Sequence, residues 1–138
     1  MHQIHTVTLA HIEFLYQLTY AYPLRRSRTL PTVYKTIAQA APAATTLTTL
    51  YTVPSSTSAV VSTIIICNQA ASAATYRIAV SPAGATAEAK HYIVYGATVA
   101  ASDTTALTLG MTLATTDVVR VYASTANLSF SLFGSEIS

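Results

Sequence analysis

The only cysteine in the chain, Cys67, closes the run "VVSTIIIC" and is followed by Asn68. A nucleophilic cysteine works as its thiolate, which requires a nearby imidazole, a cation or a helix N-terminus. Between residues 31 and 138 the one imidazole is His91, in "KHYIVY", and Asp103 and Asp117 are the acids that could orient it. Nothing in the spacing selects a Cys–His–Asp arrangement. Free cysteine is among the residue types most often buried, so Cys67 is read as a small apolar residue finishing a buried strand. A lone cysteine also excludes an intrachain disulfide.

The other chemistries are no better supplied. Glu88, Asp103, Asp117 and Glu136 are the only acids after residue 30. A glycosidase pair would need two of them opposed across a cleft, whereas Asp103 and Asp117 stand where turns are expected. No glycine-rich phosphate loop, metal-ligand spacing or nucleophile elbow occurs, so no catalytic residue, metal or cofactor is expected and the chain is read as non-enzymatic. Residues that could recognise rather than react are more numerous. Arg77 and Arg120 sit mid-strand in "TYRIAV" and "VVRVYA", either as outward charges guarding an edge or as part of a polar subunit contact. Tyr92, Tyr95 and Tyr122 are core or interface aromatics, or, if exposed, a sugar-binding platform. The amides Asn68, Gln69 and Asn127 are the main candidates for a ligand-facing loop.

These residues must be positioned by strands. From residue 31 the chain alternates short β-branched and aromatic runs with Ala, Ser, Gly, Pro and Asp breaks, which predicts strands near 34–38, 48–53, 58–67, 75–80, 90–95, 104–113, 117–123 and 128–137. In "ALTLGMTL", Leu107, Leu109, Met111 and Leu113 point one way and the threonines and Gly110 the other. In "LSFSLFG", Leu128, Phe130 and Leu132 alternate with serines. Period two with one polar face marks half-buried antiparallel strands. About eight of them predict an all-β, antiparallel, jelly-roll-like β-sandwich. Pro54 ends a strand because it has no backbone donor, and "SPAGAT" and "ASDT" turn the chain.

The 138 residues are 51% hydrophobic but only 9% charged, against about 25% in ordinary soluble domains. Alanine, threonine and serine fill the gap, and such a surface has few charges to keep copies apart. Over 31–138 Lys35, Arg77, Lys90 and Arg120 balance the four acids, and the +2 excess comes from Arg25, Arg26 and Arg28 against Glu13. No basic stripe with interleaved aromatics offers itself to a phosphate backbone, so no nucleic-acid partner is expected.

Residues 1–30 differ in character. They hold His2, His5 and His11, and residues 4–22 place apolar side chains near helical spacing. His11, Glu13 and Gln17 interrupt that run, which argues against a membrane span. Two readings stand for this separate segment: an adaptor that docks or orders on assembly, or a start assigned too far upstream, with Leu30 one alternative start.

The pieces "TTLYTVP", "TSAVVSTIIICNQAASAATYRIAVSPAGAT", "AKHYIVYG", "DVVRVYAST" and "LSFSLFGSEI" together resemble small virion-associated β-proteins of tailed bacteriophages. The resemblance covers residues 34–138 and leaves 1–30 unmatched. It implies a virion component: a capsid decoration or cement protein, or a tail- or neck-associated one, packed against copies of itself and against other virion proteins such as the major capsid or tail protein. By analogy with jelly-roll domains in such particles it implies a homotrimer. The alternative is a glycan- or host-receptor-binding module of a tail fibre. A receptor binder should gather aromatic and amide side chains around a concave pocket; a cement protein should present a broad, weakly charged face.

Overall fold

The computed structural model describes residues 31–138. The helical spacing over 4–22 lies outside the described residues. Eight strands follow in order: β1 (Thr32–Ala40), β2 (Leu47–Thr52), β3 (Ser58–Asn68), β4 (Ala74–Ser81), β5 (Tyr92–Val99), β6 (Thr104–Leu113), β7 (Val118–Ala123) and β8 (Leu128–Ile137). They form two four-stranded sheets, β1-β8-β3-β6 and β2-β7-β4-β5, with every pairing antiparallel. The chain behaves as one long hairpin in which β1 meets β8, β2 meets β7, β3 meets β6 and β4 meets β5, rolled into two layers. That order is the jelly roll, and the fold is an all-β antiparallel sandwich.

The core is what alternation puts between the sheets. Val61, Ile64 and Ile66 of β3 and Leu128, Phe130 and Leu132 of β8 face Tyr76 and Ile78 of β4 and Val119 and Val121 of β7, all buried. Phe130 meets Tyr76 edge-on across the layers, with centroids 6.3 Å apart, the geometry aromatic pairs favour. Burial raises the Tyr76 phenol above its ordinary pKa. At the open margin of the sandwich Tyr51 of β2 donates from Oη to Glu136 Oε1 at 2.7 Å. Lys35 Nζ meets the other carboxylate oxygen at 2.6 Å, so this chain of contacts ties one sheet to the other.

Strand ends agree closely with the sequence, except at β5. Residues 90–91 belong to a one-turn 3-10 segment, Ala89–His91, in which the His91 Nδ1 accepts the Glu88 backbone N–H at 3.0 Å. The strand instead runs past Gly96, whose φ of +74° accommodates a bulge between Tyr76 and Arg77 of the partner.

Bulges also correct two facing assignments. In β6 the register jumps from Met111 opposite Val61 to Thr108 opposite Thr63, and Gly110 takes a φ of +59°. Leu109, expected inward, is therefore lifted out and left 40% exposed. In β3 the register with β8 slips at Ser62, and a one-residue slip exchanges the faces of everything beyond it. Ile64, Ile66 and Asn68 consequently point inward, while Cys67 sits half-buried on the outer side. Cys67 does not finish the core; Asn68 does. The slip sits beside a close approach of β8 to β3: a Cβ on Gly134 would collide with the Val60 carbonyl oxygen and lie 2.9 Å from Val61 Cα.

Candidate functional site

The topology first separates the groups that could have made a nucleophile. Loops 41–46, 69–73, 100–103 and 124–127 share one end of the sandwich, stitched by Thr45 N–H to Ala123 O, Gln69 N–H to Asn127 O and Ser102 N–H to Ala70 O. Loops 53–57, 82–91 and 114–117 share the other, where Thr116 N–H reaches Val53 O. Cys67 and Asp103 lie toward the first end, His91 and Asp117 at the second. Asp117 ties its loops together, accepting the Ala83 N–H on Oδ1 and the Ala114 N–H on Oδ2, each at 2.9 Å. Asp103 Oδ1 accepts the N–H of Thr104 at 2.8 Å. Both acids serve turns.

The amide candidates also divide. Gln69 and Asn127 are exposed neighbours at the first end. Asn68 is not ligand-facing: it is 1% exposed. Its Nδ2 donates to the carbonyls of Ser72 at 2.8 Å, Ala100 at 2.9 Å and Val99 at 3.3 Å, and its Oδ1 accepts the Ala70 N–H at 3.0 Å. A buried amide must find partners for its donors and acceptor, and this one finds them in the two loops it joins.

The arginine and tyrosine candidates, by contrast, converge on the outer face of β2-β7-β4-β5. In β4, Tyr76 and Ile78 point into the core, so Arg77 points out. The register places Tyr95 of β5 and Tyr122 of β7 directly on either side of it. The guanidinium carbon lies 4.2 Å from the Tyr95 ring centroid and 4.5 Å from that of Tyr122, within cation–π range of both. Tyr92 meets Tyr95 edge-on at 5.0 Å. Tyr95 is 66% exposed, and Tyr92, Tyr95 and Ala89 line a cleft of about 470 Å³.

Arg120, two register positions along, bonds within the chain. Its Nε donates to Ser81 Oγ at 3.3 Å, with longer contacts from Nη1 to Thr49 Oγ1 at 3.4 Å and from Nη2 to the Gly84 carbonyl at 3.5 Å. Among the described residues the lysines pair with acids, Lys35 with Glu136 and Lys90 with Glu88. Among the described residues neither guanidinium has a carboxylate within ion-pair distance. The zero balance of this part of the chain thus hides a separation, with two unneutralised arginines on one sheet face.

The opposite outer face, on β1-β8-β3-β6, carries no charged side chain at its outward register positions. Rows such as Gln39, Ser131, Ile65 and Ala106, or Thr36, Phe133, Thr63 and Thr108, cross all four strands. Gln39 Nε2 donates to Ser131 Oγ at 3.1 Å. Near one margin Tyr34, 83% exposed, and Lys35 share with Val60, Phe133 and Ser135 a hollow of about 440 Å³. Tyr34 was not singled out from sequence; the available signal was the pair Val33–Tyr34, two large apolar side chains in succession where alternation allows one. Ala89 carries no signal at all.

No family model matches the chain, and none of the curated proteins matches it. The class the fold and this geometry define is a jelly-roll sandwich with one charge-poor sheet face and one arginine–tyrosine face.

Proposed function

We propose that the chain is a non-enzymatic structural component of a tailed-phage virion, a capsid decoration or cement protein or a tail- or neck-associated one, acting through subunit packing. The observation that carries the reading is the outer face of β1-β8-β3-β6, where four strands present serine, threonine, alanine and scattered apolar side chains at their outward register positions, with Lys35 at one margin. Burying such a face costs little desolvation of ions, and its small side chains let flat surfaces approach closely. Repeated by symmetry, modest contacts of this kind sum to a stable assembly. The jelly roll supports the reading as a fold used by viral capsid domains, though the same fold serves lectins and so carries the function only by analogy. The partners proposed are further copies, as a homotrimer, and the major capsid or tail protein.

Quantitative mass spectrometry of particles purified from the source tests this. A copy number comparable with that of the shell protein is expected for decoration, and a small multiple of the local symmetry for neck or tail. Absence from intact particles overturns the proposal.

The Tyr92, Tyr95, Arg77 and Tyr122 array favours a second reading, a glycan- or host-receptor-binding module. The aromatic platform sits on a sheet face beside a cleft, while the amides it would be expected to join lie at the loop end or, for Asn68, inside.

A further inference from the structure

We propose that the outer face of β2-β7-β4-β5 binds an acidic sugar, with Arg77 pairing its carboxylate and the Tyr92–Tyr95 wall packing against its pyranose ring. This rests on the glycan-binding reading and narrows it to a charge class and a specificity-determining residue.

Three observations converge. The Arg77 guanidinium is flanked by two rings at 4.2 and 4.5 Å yet makes no hydrogen bond or ion pair with another described residue. A guanidinium carries five N–H donors in a planar fork suited to a carboxylate, so the fork is held in place and left without an acceptor. Second, Tyr95 belongs both to that stack and to the cleft of about 470 Å³ lined by Ala89, Tyr92 and Tyr95, so the cleft and the guanidinium adjoin the same ring, within the span of one sugar. That volume falls in the range of small-ligand sites. Third, the wall itself is two phenol rings at 5.0 Å and 88° to each other, so that one offers its apolar face, the other its edge, and both a hydroxyl tip. A pyranose presents the complement: an apolar C–H face, hydroxyls at its rim and, in acidic sugars, a carboxylate at the ring edge.

The charge pattern excludes the obvious rival anion. Two guanidinia on a domain balanced at zero do not make the extended basic track a nucleic-acid backbone requires. An acidic segment of a protein partner would use the same fork, and the experiment separates it.

The full chain is titrated by isothermal calorimetry with two matched pairs, an oligo-uronate with its carboxyl-reduced form and sialyllactose with lactose. A poly-glutamate peptide is titrated in parallel. The acidic member of at least one pair should bind, with its neutral partner weaker by about tenfold or more, the discrimination expected of a hydrogen bond to a charged group. Added salt should weaken only the acidic member. Arg77→Met, which keeps a straight apolar stem, should erase the difference within the pair, and Tyr95→Ala should weaken both members. Arg77→Lys, should the Met variant not fold, keeps the charge but loses the fork and should lose most of the discrimination. Equal binding of acidic and neutral members overturns the carboxylate assignment while leaving a glycan site. Binding of no sugar overturns both readings, and binding of poly-glutamate alone makes the face a protein contact and overturns the proposal.

Discussion

Replacing Asn68 with alanine removes the amide that fastens two loops to the end of β3. Its Nδ2 has two hydrogens and meets three carbonyls, so the short contacts to Ser72 and Ala100 count fully and the 3.3 Å contact to Val99 shares one of them. With the bond accepted from Ala70, three hydrogen bonds are lost at about 1 kcal/mol each, and the partners left behind, part-buried except for the buried Val99 carbonyl, raise the total to about 3–4 kcal/mol. At about 4 °C per kcal/mol for a domain near this size, Asn68→Ala should lower Tm by roughly 12–16 °C. Asn68→Asp keeps the acceptor for Ala70 but sets a carboxylate oxygen against the carbonyls. It should be at least as damaging at neutral pH and recover in part in acid, where the protonated carboxyl donates once. Calorimetry and urea denaturation of both variants supply the test. A loss under about 1 kcal/mol for Asn68→Ala, or a binding defect with stability unchanged, would refute the structural role and return Asn68 to the surface.

Further outcomes follow from the same geometry. Gly134→Ala should cost about 3 kcal/mol in chemical denaturation, because the added methyl meets β3 backbone rather than a yielding side chain. Gly110→Ala, which has open space around it but a φ of +59°, should cost only the left-handed strain of about 1 kcal/mol. The Glu136 carboxyl is held below its ordinary value, chiefly by the bond from Lys35 and then by that from Tyr51. The unfolded chain therefore takes up this proton first. The stabilisation is present above pH 4.5 and is lost as pH falls through the lower folded value. Tyr51→Phe should cost about 1–2 kcal/mol at neutral pH, and the deficit should shrink in acid when denaturation is followed across pH. Burial, with the bond to Glu136 behind it, also raises the Tyr51 phenol far above its usual pKa. The unfolded state then ionises first, and stability should fall once pH passes 10, less so in Tyr51→Phe.

What the sequence determined alone was the set of strands and the layers they make. Alternation in "LSFSLFG" and "ALTLGMTL", with breaks at Pro54, Pro82 and Asp103, marks where each strand lies because burial on one face imposes a period of two. Eight such strands close into a sandwich since each must cover one apolar face. The phase of alternation within β3 was not legible. "TIIIC" is apolar on both parities, so either face could be the inner one, and the choice fell to a one-residue slip at Ser62 where Gly134 lets β8 approach. That slip turned Cys67 outward and drew Asn68 inside, reversing the roles their side-chain chemistry suggests. The arginine–tyrosine face shows the same division. Arg77, Tyr95 and Tyr122 could be named from their types, but they lie far apart in the chain. Only the antiparallel register of β5, β4 and β7 sets them side by side, because neighbours across a sheet are chosen by pairing and not by distance along the sequence.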